Sequence, residues 1–202
     1  FYEPLAANSK DPEIAFGLRD AIRFRENGPG RPFLDVWFAD VKRGYAIGAY
    51  NLLFATEDGG NTWQPCPDRM VNKNGLHLNT IAAVGNEVYI AGEQGLFARL
   101  NPENGKFDPI PTPYAGTFFG MAGKDGLLVL FGLQGNAFRS KDKGRQWEKI
   151  EPGLKGTITS GAILADGRLL LASQAGMLAL SADDGVSFTQ MRPPTPTSIY
   201  AI

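Results

Sequence analysis

Four aromatic residues, Trp63, Phe107, Trp147 and Phe188, stand 44, 40 and 41 residues apart, each closing a segment that aligns with the others. A period near 40 residues marks an array of supersecondary units, each burying its faces against its neighbours. This spacing therefore constrains the fold more than any other feature. The copies occupy 33–66, 78–111, 117–150 and 159–192. Each reads as four short strands, A to D. Strand A is a run of small and apolar residues, as in 34–39 or 118–122. A turn follows (Arg43-Gly44, Gly85-Asn86, Asp125-Gly126, Asp166-Gly167), a hairpin signal. Strand B is almost uninterruptedly apolar, as in 127–131, which suits sheets covered on both faces.

The B–C turn repeats in register as Gly48-Ala49-Tyr50-Asn51, Gly92-Glu93-Gln94-Gly95, Gly132-Leu133-Gln134-Gly135 and Ser173-Gln174-Ala175-Gly176. Its last position is Gly three times and Asn once, residues that accept positive φ at low cost. The copies thus share a backbone conformation there rather than a side chain. Between strands C and D lies the most specific motif, Ser/Thr-x-Asp-x-Gly-x-x-aromatic. It is carried by Thr56, Asp58, Gly60 and Trp63, by Ser140, Asp142, Gly144 and Trp147, and by Ser181, Asp183, Gly185 and Phe188. The Asp can accept turn amides, the hydroxyl can add a further bond, and Gly supplies a left-handed residue. The aromatic then packs between sheets. The second copy, 100–107, keeps Gly105 and Phe107 but lacks the hydroxyl and the Asp, and Asn104-Gly105 can still turn the chain. Three such turns, 84 and 41 residues apart, give an all-β chain, a β-propeller of four-stranded blades with four complete blades visible.

Composition removes several function classes. Twenty basic against 21 acidic side chains, net −1, give no field to gather nucleic acid. One cysteine, Cys66, forbids an internal disulfide, and with one histidine, His77, it cannot build a zinc site. We expect Cys66 to be a half-buried apolar residue. Each motif turn offers one carboxylate, and the turns lie far apart around a rim, so they do not cage calcium. No metal and no cofactor are expected. No apolar run reaches the ~18 residues of a membrane span. The sequence begins at Phe1 and shows no signal peptide, which implies a removed leader or a longer parent.

These residues resemble the BNR/Asp-box repeat proteins. More narrowly, the stretch 33–40 (FLDVWFAD), then Gly44-Tyr45-Ala46-Ile47-Gly48, then the Thr56–Trp63 box resemble the photosystem II stability/assembly factor-like family, in its bacterial, non-photosynthetic branch. The resemblance covers 33–192. It implies a propeller of seven blades, export to the periplasm or another extracytoplasmic space, and action as a scaffold or assembly factor through a protein partner, a membrane protein or its exported segment, rather than through hydrolysis. Only four full repeats are present, with 197–202 opening a further blade, so a longer parent is expected; a five-bladed ring closed by 1–32 and 197–202 is the alternative. Residues 1–32 form a separate segment with one helix signal over 12–26. Asp11 caps it, Pro12 opens it, and Ile14, Leu18, Ala21 and Ile22 share a face while Arg19, Arg23 and Arg25 face solvent.

Asp boxes also occur in sialidases. A sialidase-like site needs three arginines on a carboxylate, a Tyr–Glu pair and an acid. The Arg-Ile-Pro sequence is absent, and Arg31-Pro32 lacks the Ile. No catalytic residue is assigned, and the chain is expected not to be an enzyme. A sialidase-like, carbohydrate-binding or glycoside-hydrolysing propeller with a small glycan as ligand is the alternative. In a propeller the B–C turns and D–A connections share one rim, opposite the A–B turns and boxes. The candidate binding rim is Tyr50, Glu93, Gln94, Gln134 and Gln174 from B–C turns, with His77 and Tyr114 from D–A connections, beside Arg69, Lys73 and Lys155. Exposed Tyr, Gln and Arg at turn tips suit a protein interface.

Overall fold

The apolar runs become strands, and the glycine-bearing turns between them set their antiparallel order. The structure is a computed structural model that describes residues 30–193 and 197–202 together with residue 22. The helix expected over 12–26 lies outside the described residues apart from Ile22. The first blade holds β1 (Phe33–Phe38), β2 (Gly44–Gly48), β3 (Leu52–Thr56) and β4 (Gln64–Pro65). The second holds β5 (Leu78–Val84), β6 (Glu87–Gly92), β7 (Phe97–Leu100) and β8 (Phe107–Pro109). The third runs through β9 (Phe118–Lys124), β10 (Leu127–Gly132), β11 (Ala137–Ser140) and β12 (Glu148–Ile150). The fourth has β13 (Ile158–Ile163), β14 (Leu169–Ser173), β15 (Leu178–Ser181) and β16 (Thr189–Met191). Each blade is a four-stranded antiparallel meander in chain order, and β1, β5, β9 and β13 lie side by side as the innermost strands. The four sheets do not close into a ring among the described residues, yet they stack as propeller blades.

Equivalent positions show how the blades pack. The side chains of Ile81, Ile90 and Ala98 meet Ile47 and Leu53 of the first blade. Their counterparts Met121, Leu130 and Phe138 meet Tyr89 and Phe97 of the second. Leu171 and Ala179 meet Val129 and Ala137 of the third. One face of each sheet is thus received by the face of the blade before it, and the core is a series of apolar seams rather than one centre. In the first blade the same face is open. Val36 is 55% exposed where Ile81 and Met121 are 3% and 7%, and Phe33, Phe54 and Trp63 line the same shallow depression.

Every inner strand carries a bulge where it meets strand B, between Phe33 and Asp35, between Leu78 and Thr80, opposite Phe131/Gly132, and between Ile158 and Ser160. Bulges re-aim a side chain and sharpen the twist. Beside each bulge, the carbonyl preceding strand A accepts the first amide of the B–C turn: Ala49 to Pro32, Glu93 to His77, Leu133 to Thr117, Gln174 to Thr157, all at 2.9–3.1 Å. The backbones approach so closely that a Cβ on Gly92 or Gly132 would lie 2.1 Å from the carbonyl oxygen of His77 or Thr117.

Side chains on the inner strands set the register between blades. Asp35 Oδ2 accepts the Ile81 amide at 2.9 Å, and Asn79 Nδ2 donates to the Phe118 carbonyl at 2.8 Å. The same two repeat positions recur in the fourth blade. Ser160 Oγ accepts the Ile202 amide at 3.0 Å, and Thr159 Oγ1 donates to the Ile199 carbonyl. Residues 197–202 carry no strand assignment, but Ile199 and Ile202 meet the fourth blade as Phe118 and Ile81 meet the blades before them. Cys66, expected to be half-buried, is fully buried; its Sγ faces the Leu53 carbonyl, and burial pushes the thiol up to about 12.

Candidate functional site

The two rims use their side chains differently. At the box rim the motif aspartates are spent on their own turns. Asp58 accepts the Thr62 hydroxyl at 2.7 Å, the Thr62 amide at 2.9 Å and the Thr56 hydroxyl at 2.9 Å. Thr56 Oγ1 in turn accepts the Gly60 amide at 2.9 Å, and Gly60 takes a φ of 89°. Asp142 and Asp183 repeat the pattern with Ser140, Gly144 and Gln146, and with Ser181, Gly185 and Ser187. These bonds favour the ionised form. The Thr62 hydroxyl and amide hold Asp58 at about 2, and those of Ser187 hold Asp183 at about 2. The Gln146 amide and Ser140 hydroxyl lower Asp142 as well. Trp147 meets the Phe97 ring of the second blade edge-on at 5.5 Å and donates Nε1–H to the Pro111 carbonyl, whereas Trp63 meets Phe38 of its own blade. In the degenerate second turn Asn101 Oδ1 accepts the Glu103 amide and Asn104 Oδ1 the Lys106 amide. No group of three His, Cys, Asp or Glu among the described residues could hold a metal ion.

The opposite rim is made as the repeat predicts. Asn51 N–H donates to the Leu76 carbonyl and Gly95 N–H to the Gly116 carbonyl, so the B–C turns of the first two blades are tied to the D–A connections that follow them. Asn51, Gly95, Gly135 and Gly176 all have positive φ. The residue before them is also left-handed in three blades: Tyr50 at 54°, Gln94 at 51° and Gln134 at 58°. Sequence reading missed this. A large side chain in that region costs about 1 kcal/mol or more, and no residue preference announces it.

Four side chains from two blades meet here. Tyr50 and His77 lie edge-to-face at 4.6 Å, and the Arg31 guanidinium stands 5.2 Å from the Tyr50 ring centroid. Glu93 accepts the His77 backbone amide at 2.7 Å, with its other oxygen 3.6 Å from His77 Nδ1. Gln94 is exposed and overhangs an open groove of about 750 Å³. Met70, Leu96, Phe97, Phe107, Ile110 and Tyr114 are among the residues that line it. Lys73 is the one charged side chain of the described residues along it. Tyr114 is half-buried. Its ring packs on Phe118 and Phe138, and its hydroxyl donates to the Leu133 carbonyl at 3.2 Å. Arg69 donates to Tyr45 Oη at 2.9 Å. Gln134 is exposed beside Leu133, and Gln174 is exposed one blade further on. The groove joins residues about 40 positions apart, so no local pattern reveals it.

A rim with a largely apolar groove, on four four-stranded blades, can hold a polypeptide, while the motif aspartates of the opposite rim are committed to their own turns. The sequence profile of photosynthesis system II assembly factor YCF48 matches residues 29–178. The chain belongs to that family. Among curated relatives, photosystem II stability/assembly factor HCF136 of Arabidopsis thaliana is 24% identical over 188 residues, covering 80% of this chain and 47% of that protein. The chain spans about half the length of the curated relatives it matches over most of its own length. A solved structure of YCF48 bound to D1 peptide superimposes with a TM-score of 0.66 at 21% identity, over 84% of this chain and 56% of that one. A WD40 propeller domain matches with a TM-score of 0.65 at 11% identity, over 85% and 57%. As a YCF48-family chain, this protein is an all-β propeller related to assembly factors.

Proposed function

We propose that the protein is a non-catalytic extracytoplasmic propeller that binds a protein partner and serves the assembly of a membrane-associated complex. The observation that carries this reading is the rim itself. Gln94 lines a groove about the size of a ligand site, the contacts among Tyr50, His77 and Glu93 lie on the neighbouring turn and connection, and mostly apolar walls with a few polar groups suit the seating of a ligand. Membership of the YCF48 family supports it, because the relatives are named stability/assembly factors and one solved member holds a peptide. The non-enzymatic character of assembly factors agrees with it. Five of the described arginines are engaged within the fold: Arg43 with Asp40, Arg69 with Tyr45, Arg99 with Glu87, Arg139 with Glu148 and Arg168 with Asp166.

A photo-crosslinking residue placed at Gln134 on the rim and, separately, at Asn61 in the first box tests the proposal in producing cells. Adduct to one membrane protein from Gln134 and none from Asn61 is expected, with the protein itself recovered outside the cytoplasm. Equal adducts from both sites, or turnover of a fluorogenic sialoside by the purified protein, would overturn it.

A further inference from the structure

Tyr50, Gln94 and Gln134 occupy the same place in three successive blades, the first left-handed residue of the B–C turn. Glycine is the residue that takes this conformation without strain. In the fourth blade Ala175 has that place and does not take positive φ. Left-handed residues also occur at the box rim, where Lys143 and Asp184 stand after the motif Asp. There the strained side chains are used within the fold: Lys143 reaches Glu87 at 2.7 Å and Asp184 reaches Lys124 at 2.8 Å. On the B–C rim the amides of Gln94 and Gln134 reach nothing among the described residues, and both side chains are exposed. Strain that serves no internal contact is a signature of a working surface.

From this we infer that the rim holds an extended, uncharged stretch of a partner polypeptide, its backbone read by Gln94 and Gln134 and one of its apolar side chains seated in the groove beneath Gln94. The inference rests on the protein-binding reading above and names the partner's chemistry. A glutamine amide offers a donor and an acceptor together, the complement of a peptide group. A helix uses its interior N–H and C=O groups itself and has none to give, whereas an extended chain presents them at every residue. Three turns one blade apart form a row that a chain must cross lengthwise. Lys73 is the one charged side chain of the described residues along the groove, so a cation seated among Met70, Leu96, Phe97 and Ile110 would go unpaired and an anion would have Lys73 alone to answer it. Tyr50, held by His77 and beside Arg31, gives the row a rigid aromatic end.

The left-handed backbone supplies a test in which loss of binding cannot be mistaken for loss of fold. Gln94→Gly and Gln134→Gly relieve the strain and remove the amides. The probe is an array of synthetic decapeptides, uncharged with one central Leu, Ile or Phe, beside copies carrying Asp or Lys at the centre, presented to the full-length protein. The inference expects uncharged peptides to bind and N-methylation of their backbone to abolish binding. It expects the double glycine variant to bind them at least tenfold more weakly while its unfolding midpoint rises. Binding unchanged in the double variant, or retained by N-methylated peptides, overturns the inference and leaves the protein-binding reading standing. A wild-type protein that binds no peptide of either class, and gives no rim crosslink in cells, overturns both.

Discussion

Lys143 and Glu87 meet at 2.7 Å across the seam between the third and second blades, the left-handed residue of one box grasping the A–B turn of the blade before it. One blade on, Asp184 and Lys124 repeat the contact at 2.8 Å with the charges exchanged. The box is therefore a closed hairpin on its inner side and a clasp to its neighbour on its outer side. Both clasps are partly exposed, so their worth is modest and salt-sensitive.

Lys143→Ala keeps a non-glycine residue at the strained position and removes only the clasp. We expect a loss of about 0.5 kcal/mol in urea denaturation at low ionic strength, and no difference from wild type at ~1 M salt, where screening acts within ~3 Å.

The box carboxylates make stability depend on acid. Asp58 and Asp183 lie at about 2 against an ordinary value of 3.8. A lowered folded value gives stabilisation that is fully present above the ordinary value and lost as pH falls through the folded one. The wild-type unfolding midpoint should drop between pH 4 and 2. The Asp58→Asn/Asp183→Asn variant should be less stable at pH 7 and have a flatter profile across that window. Thermal melts at half-unit steps of pH decide it.

Gly132 lies in extended backbone, so substitution there is a question of space rather than φ. A Cβ would stand 2.1 Å from the Thr117 carbonyl oxygen, with Phe118 Cα at 2.9 Å. Gly132→Ala should force the bulge open and cost about 1–3 kcal/mol. A denaturation midpoint equal to wild type would show that the inner strand shifts freely.

Tyr114 joins the D–A connection to the next blade's turn through one hydroxyl. Tyr114→Phe keeps the ring against Phe118 and Phe138 and leaves the Leu133 carbonyl without that donor. About 1 kcal/mol of stability should go with it, measured by urea denaturation.

The blades were legible because their punctuation is local. Gly95, Gly135 and Gly176 announce a left-handed turn residue, and Thr56, Asp58 and Gly60 announce a hairpin that needs no distant partner. Tyr50, Gln94 and Gln134 gave no such sign, since Tyr and Gln carry no preference for positive φ, and in the fourth blade Gly176 follows a residue that does not adopt it. The site was legible only in part. The rim placed Glu93, Gln94 and His77 on one side of the molecule, but the His77–Glu93 bond and the groove behind Gln94 join residues from different repeats. Tyr114, read as a rim contact, lines the groove and is also a half-buried strut, because two phenylalanines from the next blade pack on its ring.

Asp35 on Ile81 and Ser160 on Ile202 have a mechanical consequence. β5 and β9 are each pinned by a side chain from the blade before, Asp35 and Asn79, so a pull on either is borne first by its neighbour and only then by its own sheet. Load and disorder alike should pass along the row in single steps of one blade. A propeller wired in this way yields like a zip rather than a shell, and an optical-trap record should show a staircase of releases near 40 residues each.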